Sequence, residues 1–287
     1  MAIDRRAWLA GLGGVGLSAC IPGLRARASA SDLDLSSLEV GGRIGVQAVR
    51  NGRAVSWRAH ERFTYCSTFK LFLAAATLER VQAGDEQLDR PVAMTAADLV
   101  SHAPVTGQAI GGTLTIQALC QATVEVSDNP AANILIREMG GLTAWRDWYR
   151  RIGDTVTNVD RLEPELNGVG DARDTTTPGQ FVSNLQTLFA DDVTRLSSMS
   201  RSLLMSWLFA SPTGPYRLRA GVPVDWEVAH KTGTSSRGPV NDIGLLIPPG
   251  GHPIHIAVFW QGRESDDFSL GEAAIAEATR RVVEALS

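Results

Sequence analysis

Strand-like runs lie at the two ends of this 287-residue chain, and helix-like periodicity fills the middle. Residues 43–50 and 53–60 are β-rich and joined by Asn51-Gly52, a dipeptide that closes tight hairpins because both residues tolerate positive φ. Strand-like runs return only at 226–232, 240–247 and 253–261, ahead of a helical pattern at 270–286. Between them the apolar spacing predicts helices at 68–83, 115–126, 130–139, 142–152, 178–190 and 195–209. Pro130 and Pro178 stand at first helical positions, and Gly140-Gly141 ends one helix. One sheet assembled from both termini follows, in an α/β fold of the α+β type. Its sheet lobe comprises about 31–66 and 211–287, with a helical lobe at about 67–210 inserted between. A cleft between two such lobes is a usual small-molecule site.

The first thirty residues differ from the rest. Arg5-Arg6 precede an apolar, glycine-rich run at 8–24, too short and interrupted for a membrane span, and Arg25, Arg27 and Ala28-Ser29-Ala30 follow. This predicts a twin-arginine export signal over 1–30, cleaved near Ala30-Ser31, and a periplasmic or secreted protein. Leu17-Ser18-Ala19-Cys20 resembles a lipoprotein signal, which makes a lipid anchor on Cys20 the alternative. The full chain has a formal net charge of −4, and losing Arg5, Arg6, Arg25 and Arg27 with Asp4 makes it more acidic. That balance excludes broad attraction to nucleic acid or anionic lipid. Cys66 and Cys120 then remain, too few for a disulfide framework, and are expected as buried free thiols. His252-x-x-His255, without nearby Cys or carboxylates, does not supply a zinc set, and no metal or cofactor is expected.

Four short motifs carry chemistry. Ser67 and Lys70 are three apart where a buried helical stripe begins, so a hydroxyl and an amine share one face at the donor-rich helix end. A serine needs an adjacent base to attack a carbonyl. Alone, S-x-x-K is a weak signal, since Ser67 also suits a helix cap. Ser127-Asp128-Asn129-Pro130 reads first as a turn with an N-cap. Glu163-Pro164-Glu165-Leu166-Asn167 lies in an aperiodic stretch, 161–178, long enough to be functional. Glu163 and Asn167 could hold one water molecule from a single helical turn, and Arg161 with Asp174 could pin the neck of the loop. Lys231-Thr232-Gly233-Thr234 ends a strand-like run, either as a lysine-protected edge or as a clamp for a substrate carboxylate, with Gly233 admitting the substrate backbone.

Together and in this order, these motifs resemble the class A serine β-lactamases, whose signature combines S-x-x-K, S-D-N and K-T-G. The similarity covers essentially the whole mature chain, including Arg161-x-Glu163-Pro164-Glu165-Leu166-Asn167 and Asp171-x-Arg173-Asp174-Thr175-Thr176. The resemblance implies an antiparallel sheet from both termini with flanking helices, an all-helical lobe, and an active site in the cleft. It implies hydrolysis of β-lactam antibiotics through an acyl-enzyme on Ser67, with Lys70, or Glu163 through water, as the base. Ser127 would pass a proton to the leaving nitrogen, and Glu163 with Asn167 would activate the deacylating water. The backbone N–H groups of Ser67 and Thr234 would form the oxyanion hole. Lys231, Thr232, Gly233, Thr234 and Arg217 would hold the substrate carboxylate, Asn129 its acylamide, and His102 would wall the cleft. The implied partners are β-lactam substrates and inhibitors, bound by a monomer without cofactor.

Departures are visible as well. Cys66 occurs in the carbapenem-hydrolysing branch, where it pairs with a cysteine after K-T-G, but Ser235 stands there, so that bridge cannot form. Ala74 faces Cys120 at the site of another family disulfide. The 167–171 segment is shorter than is common, and His230 replaces an acidic residue before Lys231. Arg217 resembles the arginine of the branch that supplies it from this segment. The alternatives are a D-alanyl-D-alanine peptidase, against which the deacylating role implied for Glu163 and Asn167 argues, and a non-turnover β-lactam sensor, for which no transmembrane signalling helix is seen in the sequence. The expected effect of placing Lys70 beside Lys231 is to disfavour the Lys70 ammonium form, by desolvation and like charge.

Overall fold

The structure, a computed structural model, describes residues 30–190, 195–265 and 267–287. The expected export signal up to residue 29, Cys20 included, lies outside the described residues. Six strands form the main sheet in the order β1-β3-β2-β10-β9-β8. They are β1 (Ala30–Asp32), β2 (Gly42–Arg50), β3 (Arg53–Trp57), β8 (Glu227–Thr234), β9 (Pro239–Ile247) and β10 (Ile254–Gly262). Short pairs join β4 (Phe63–Thr64) to β7 (Thr175–Thr176), and β5 (Pro91–Ala93) to β6 (Thr113–Thr115). Asn51 and Gly52 take φ of +46° and +76°, the doubly left-handed turn that matches strand twist. Val46 pairs with Val258, joining the two chain ends. The sheet is antiparallel as expected through its five longer strands, and at its edge the short β1 runs parallel to β3, so the whole sheet is mixed. The predicted strand 53–60 stops at Trp57 because Arg58 turns to φ +46°. The run expected at 226–232 instead continues to Thr234, paired with Val240, so K-T-G lies inside a strand.

Strand alternation gives the sheet two apolar faces. Ile44, Val46, Val240, Leu246, Ile256 and Val258 share one core with Ile275, Ala278, Val282 and Leu286 of the last helix, α7 (Ser269–Leu286). Ala229, Ile243, Leu245, Ala257 and Phe259 share the other with the helices α1 (Phe69–Ala83), α2 (Ile116–Glu125), α3 (Asn129–Glu138), α4 (Gly141–Arg151), α5 (Pro178–Phe189) and α6 (Ser198–Ala210). Helix α1 is buried without interruption from Phe69 to Leu78, as befits a central helix that is apolar on most sides, with Lys70 and Thr77 its buried polar residues. Aromatic contacts brace the helices around it: Phe72 meets Phe181 at 4.7 Å, and Trp145 meets Tyr149 at 4.5 Å. The N-terminus of α1, with Ser67 just ahead of it, is thereby fixed against β8.

Candidate active site

The turn that carries Ser67 is built from backbone constraints. A 3-10 turn, Cys66–Thr68, leads from β4 into α1, and Cys66 adopts φ +47°. A non-glycine residue in this left-handed region is a strained feature that surrounding contacts must hold. Those contacts are present. Thr68 Oγ1 donates to Tyr65 O at 2.7 Å, and Asn241 Nδ2 donates to Thr64 O at 2.9 Å and Tyr65 O at 3.2 Å. Gly233 lets β8 lie against the turn, because a Cβ there would sit 2.7 Å from Tyr65 O and 3.0 Å from Thr68 N. The close approach made by this glycine is therefore to the turn that carries Ser67.

Around Ser67 the residues named from sequence converge. Ser67 Oγ donates to Glu163 Oε1 at 3.1 Å. Lys70 Nζ lies 3.1 Å from the same oxygen and donates to Ser127 O at 2.7 Å and Asn129 Oδ1 at 2.5 Å. It also reaches Ser127 Oγ at 3.3 Å, and Lys231 Nζ donates to that hydroxyl at 3.1 Å. Ser127, at φ +60°, thus receives two amines on its oxygen, which leaves its own proton free to point elsewhere. Burial pulls the Lys70 ammonium below the usual lysine range, and the Glu163 carboxylate opposes that pull. Lys231 is held well below its usual range, first by burial and then by the charge of Lys70. The direction expected for Lys70 holds, but like charge acts mainly on Lys231.

The loop carrying Glu163 is tied at three levels. At its neck, Arg161 Nε donates to Asp174 Oδ2 at 2.5 Å, and Asp174 Oδ1 accepts the N–H groups of Asp160 and Arg161 and the hydroxyl of Tyr65. The β4–β7 pair closes the neck from behind. At its tip, Asn167 Nδ2 donates to Glu163 Oε2 at 2.6 Å, while Asn167 Oδ1 is buried without a protein partner. The Glu163-Pro164 peptide is cis. Ser235 Oγ reaches across to Asn167 O at 3.3 Å, linking the end of β8 to the loop.

A cleft of about 420 Å³ opens here, lined in part by Ser101, Asn129, Asn167, Thr234 and Arg237. Thr232 Oγ1 donates to Thr213 Oγ1 at 2.9 Å. The buried Arg217 donates to Asn241 O at 3.0 Å and pairs with Glu272 at 3.2 Å. His102 stays out of the network around Ser67: its exposed ring contacts Val126 O at 2.8 Å, and its carbonyl accepts Asn129 N at 3.0 Å. Asn129 has a use the sequence did not reveal, since its side chain spans Lys70 and Ser101 O. The helix cap of the S-D-N turn is Asp128, whose carboxylate accepts Ala131 N and also Val105 N and Thr106 N. Cys66 and Cys120 are free and buried, and burial pushes the Cys120 thiol up to about 12.

Sequence reading missed Asn133, Asn241 and Thr213. Asn241-Asp242 left a signal, two polar residues within an otherwise apolar strand. The assembled group has a hydroxyl beside a carboxylate, two buried amines, and an open amide oxygen, which suits nucleophilic attack followed by water attack.

Known proteins resemble this chain over most of its length. The model of the beta-lactamase enzyme family matches residues 31–286. The carbapenem-hydrolysing β-lactamase KPC of Klebsiella oxytoca is 41% identical over 253 residues, 86% of this chain and 85% of that protein. The β-lactamase L2 of Stenotrophomonas maltophilia is 43% identical, covering 79% of this chain and 77% of its own. An ancestral class A β-lactamase superposes with a TM-score of 0.83 at 47% identity, over 88% of this chain and 98% of that one. A class A β-lactamase from Mycobacterium abscessus gives 0.82 at 42% identity, over 88% and 97%. By family model, relatives and fold alike, the chain belongs to the class A serine β-lactamases.

Proposed function

We propose that Ser67 opens the β-lactam ring and that Glu163 drives both halves of the reaction, acylation and hydrolysis, giving resistance to penicillin- and cephalosporin-type antibiotics. The observation that carries this reading is the direct hydrogen bond from Ser67 Oγ to Glu163 Oε1 at 3.1 Å. Lys70 faces four acceptors, Glu163 Oε1, Ser127 O, Ser127 Oγ and Asn129 Oδ1, and its place between Glu163 and the Ser127 hydroxyl suits it to relaying a proton. In acylation, Ser67 Oγ bonds to the lactam carbonyl carbon and its proton goes to Glu163. The carbon–nitrogen bond breaks, and the nitrogen takes the Ser127 proton. Lys70 then restores Ser127 and is itself restored from Glu163, so the serine proton ends on the leaving nitrogen. Glu163 is again a carboxylate, ready to take a proton from water as the water oxygen attacks the ester. Asn167 Oδ1 is the acceptor that would steady that water. Ser67 leaves with the proton returned by Glu163.

The backbone N–H groups of Ser67 and Thr234 serve the developing oxyanion, where one donor is worth about 3 kcal/mol. Lys231, Thr232, Thr234 and Arg217 receive the substrate carboxylate, while Gly233 keeps their strand against the nucleophile turn. Asn129 offers its remaining N–H to the acylamide, and His102 borders the cleft. The catalytic unit spans 31–287, acts as a monomer and works outside the cytoplasm after twin-arginine export. Among the described residues no helix is long and apolar enough to cross a membrane.

Following a chromogenic cephalosporin with purified protein tests this directly. Sustained hydrolysis is expected, and it should vanish with covalent labelling in Ser67→Ala. A single burst with a stable adduct would point instead to a peptidase or sensor. For export, lysines at Arg5-Arg6 should leave precursor in the cytoplasm; unchanged secretion would exclude the twin-arginine route.

A further inference from the structure

His230 precedes Lys231 in β8, but strand alternation turns its ring to the opposite face of the sheet, where it is wholly buried. Its Nδ1 lies 2.9 and 2.8 Å from the two carboxylate oxygens of Asp242 on β9. On the other side, Arg219 Nε donates to His230 Nε2 at 3.0 Å. A guanidinium has only donors, so Nε2 presents its lone pair and the ring proton sits on Nδ1, directed at Asp242. Arg219 also donates to Phe209 O and Ser211 O at 3.2 and 3.0 Å, the carbonyls at the end of α6. Asp242 Oδ2 further accepts Leu218 N at 3.3 Å.

Leu218 and Arg219 directly follow Arg217 in the chain. Both are tied to the His230–Asp242 pair, one through its amide and one through its side chain. Arg217 itself reaches Asn241 O and Glu272 from this anchored turn. The loop ahead of it passes close over the same spot. A Cβ on Gly214, at φ +61°, would fall 2.5 Å from Thr232 Cγ2 and 3.5 Å from His230 Cε1. The imidazole therefore acts as a spacer of fixed length, donating to β9 and accepting from the turn.

We infer that His230 is a positioning residue: with Asp242 and Arg219 it sets where the Arg217 guanidinium meets a substrate carboxylate. The inference rests on the carboxylate-binding reading of Arg217. It places the effect of His230 on recognition of the anionic group and leaves the chemistry at Ser67 untouched.

Steady-state kinetics with a carboxylate-bearing chromogenic cephalosporin, on a double-mutant cycle, tests it. His230→Leu should raise KM about tenfold with kcat within about twofold, and should add almost nothing in an Arg217→Ala background, as coupled residues do. His230→Gln, whose amide keeps one donor and one acceptor, should recover most of the parental KM. A loss confined to kcat, or two effects that simply multiply, would overturn the inference. Arg217→Ala with a parental KM would overturn the carboxylate role and the inference with it, whereas a raised KM there beside an unaffected His230→Leu would overturn the inference alone. Nitrogen NMR of the unaltered protein gives a second measurement that needs no variant to fold. It should show His230 protonated on Nδ1, and a proton on Nε2 would rule out the Arg219 contact.

Discussion

Asn133 brackets the peptide of Glu163 from helix α3: Glu163 N donates to Asn133 Oδ1 at 3.0 Å, and Asn133 Nδ2 donates to Glu163 O at 2.8 Å. The loop is thus fixed at Glu163, the proposed catalytic carboxylate, as well as at its neck. Asn133→Ala should cost about 1–3 kcal/mol, the usual penalty for stranding partly buried backbone groups. A misplaced carboxylate should also slow deacylation by about ten- to a hundredfold. Thermal melts and single-turnover kinetics check the two effects separately. Parental rates in this variant would show that the bracket does not orient Glu163.

Lys231 is wholly buried, with Ser127 Oγ and Thr232 O as neutral acceptors and Lys70 as a like-charged neighbour. Replacing it with an apolar side chain should stabilise the fold by about 2 kcal/mol while abolishing carboxylate binding. The sign with pH follows from linkage. The folded protein holds the Lys231 proton less tightly than the unfolded chain, whose lysine titrates near 10.5. Between the depressed value and 10.5 the unfolded state binds more protons, so parental stability rises with pH across that window. The advantage of Lys231→Met should therefore be fully present on the acid side and fade as pH climbs toward that limit. Denaturant melts at several pH values would measure it, and a constant gap would contradict it.

Gly233→Ala should separate β8 from the turn that carries Ser67, since the new Cβ meets the backbone atoms Tyr65 O and Thr68 N. Neither atom is the free end of a side chain, so the strand itself must shift. A displacement near 1 Å should lower kcat/KM by about a hundredfold, and its cost in stability should be about 1–3 kcal/mol. A crystal structure of the variant with an unmoved turn and parental kinetics would refute this.

Much of the site was readable because its pieces are local. Ser67 and Lys70 share a helical turn, Glu163 and Asn167 share another, and Arg161–Asp174 closes a loop whose length marked it as functional. Strand runs at the two termini announced the sheet. What escaped reading depends on partners far away in the chain. Asn133 looks like any polar residue on a helix, and only the fold brings it to Glu163. His230 makes sense only with Asp242 and Arg219, which lie on two other elements. Strand β1 has three residues, too few for a period to emerge. The reading of Lys70 blended two electrostatic causes, and the fold assigns burial to both lysines while the like charge acts mainly on Lys231.

The central claim is that one carboxylate, Glu163, releases the acyl group from Ser67. Intact-protein mass spectrometry of Glu163→Ala after mixing with a penicillin tests it most directly. The account predicts an adduct of the antibiotic's full mass that persists and maps to Ser67, while the parent protein returns promptly to its free mass. A Glu163→Ala enzyme that clears the adduct at the parental rate, or carries it on another residue, would contradict the account.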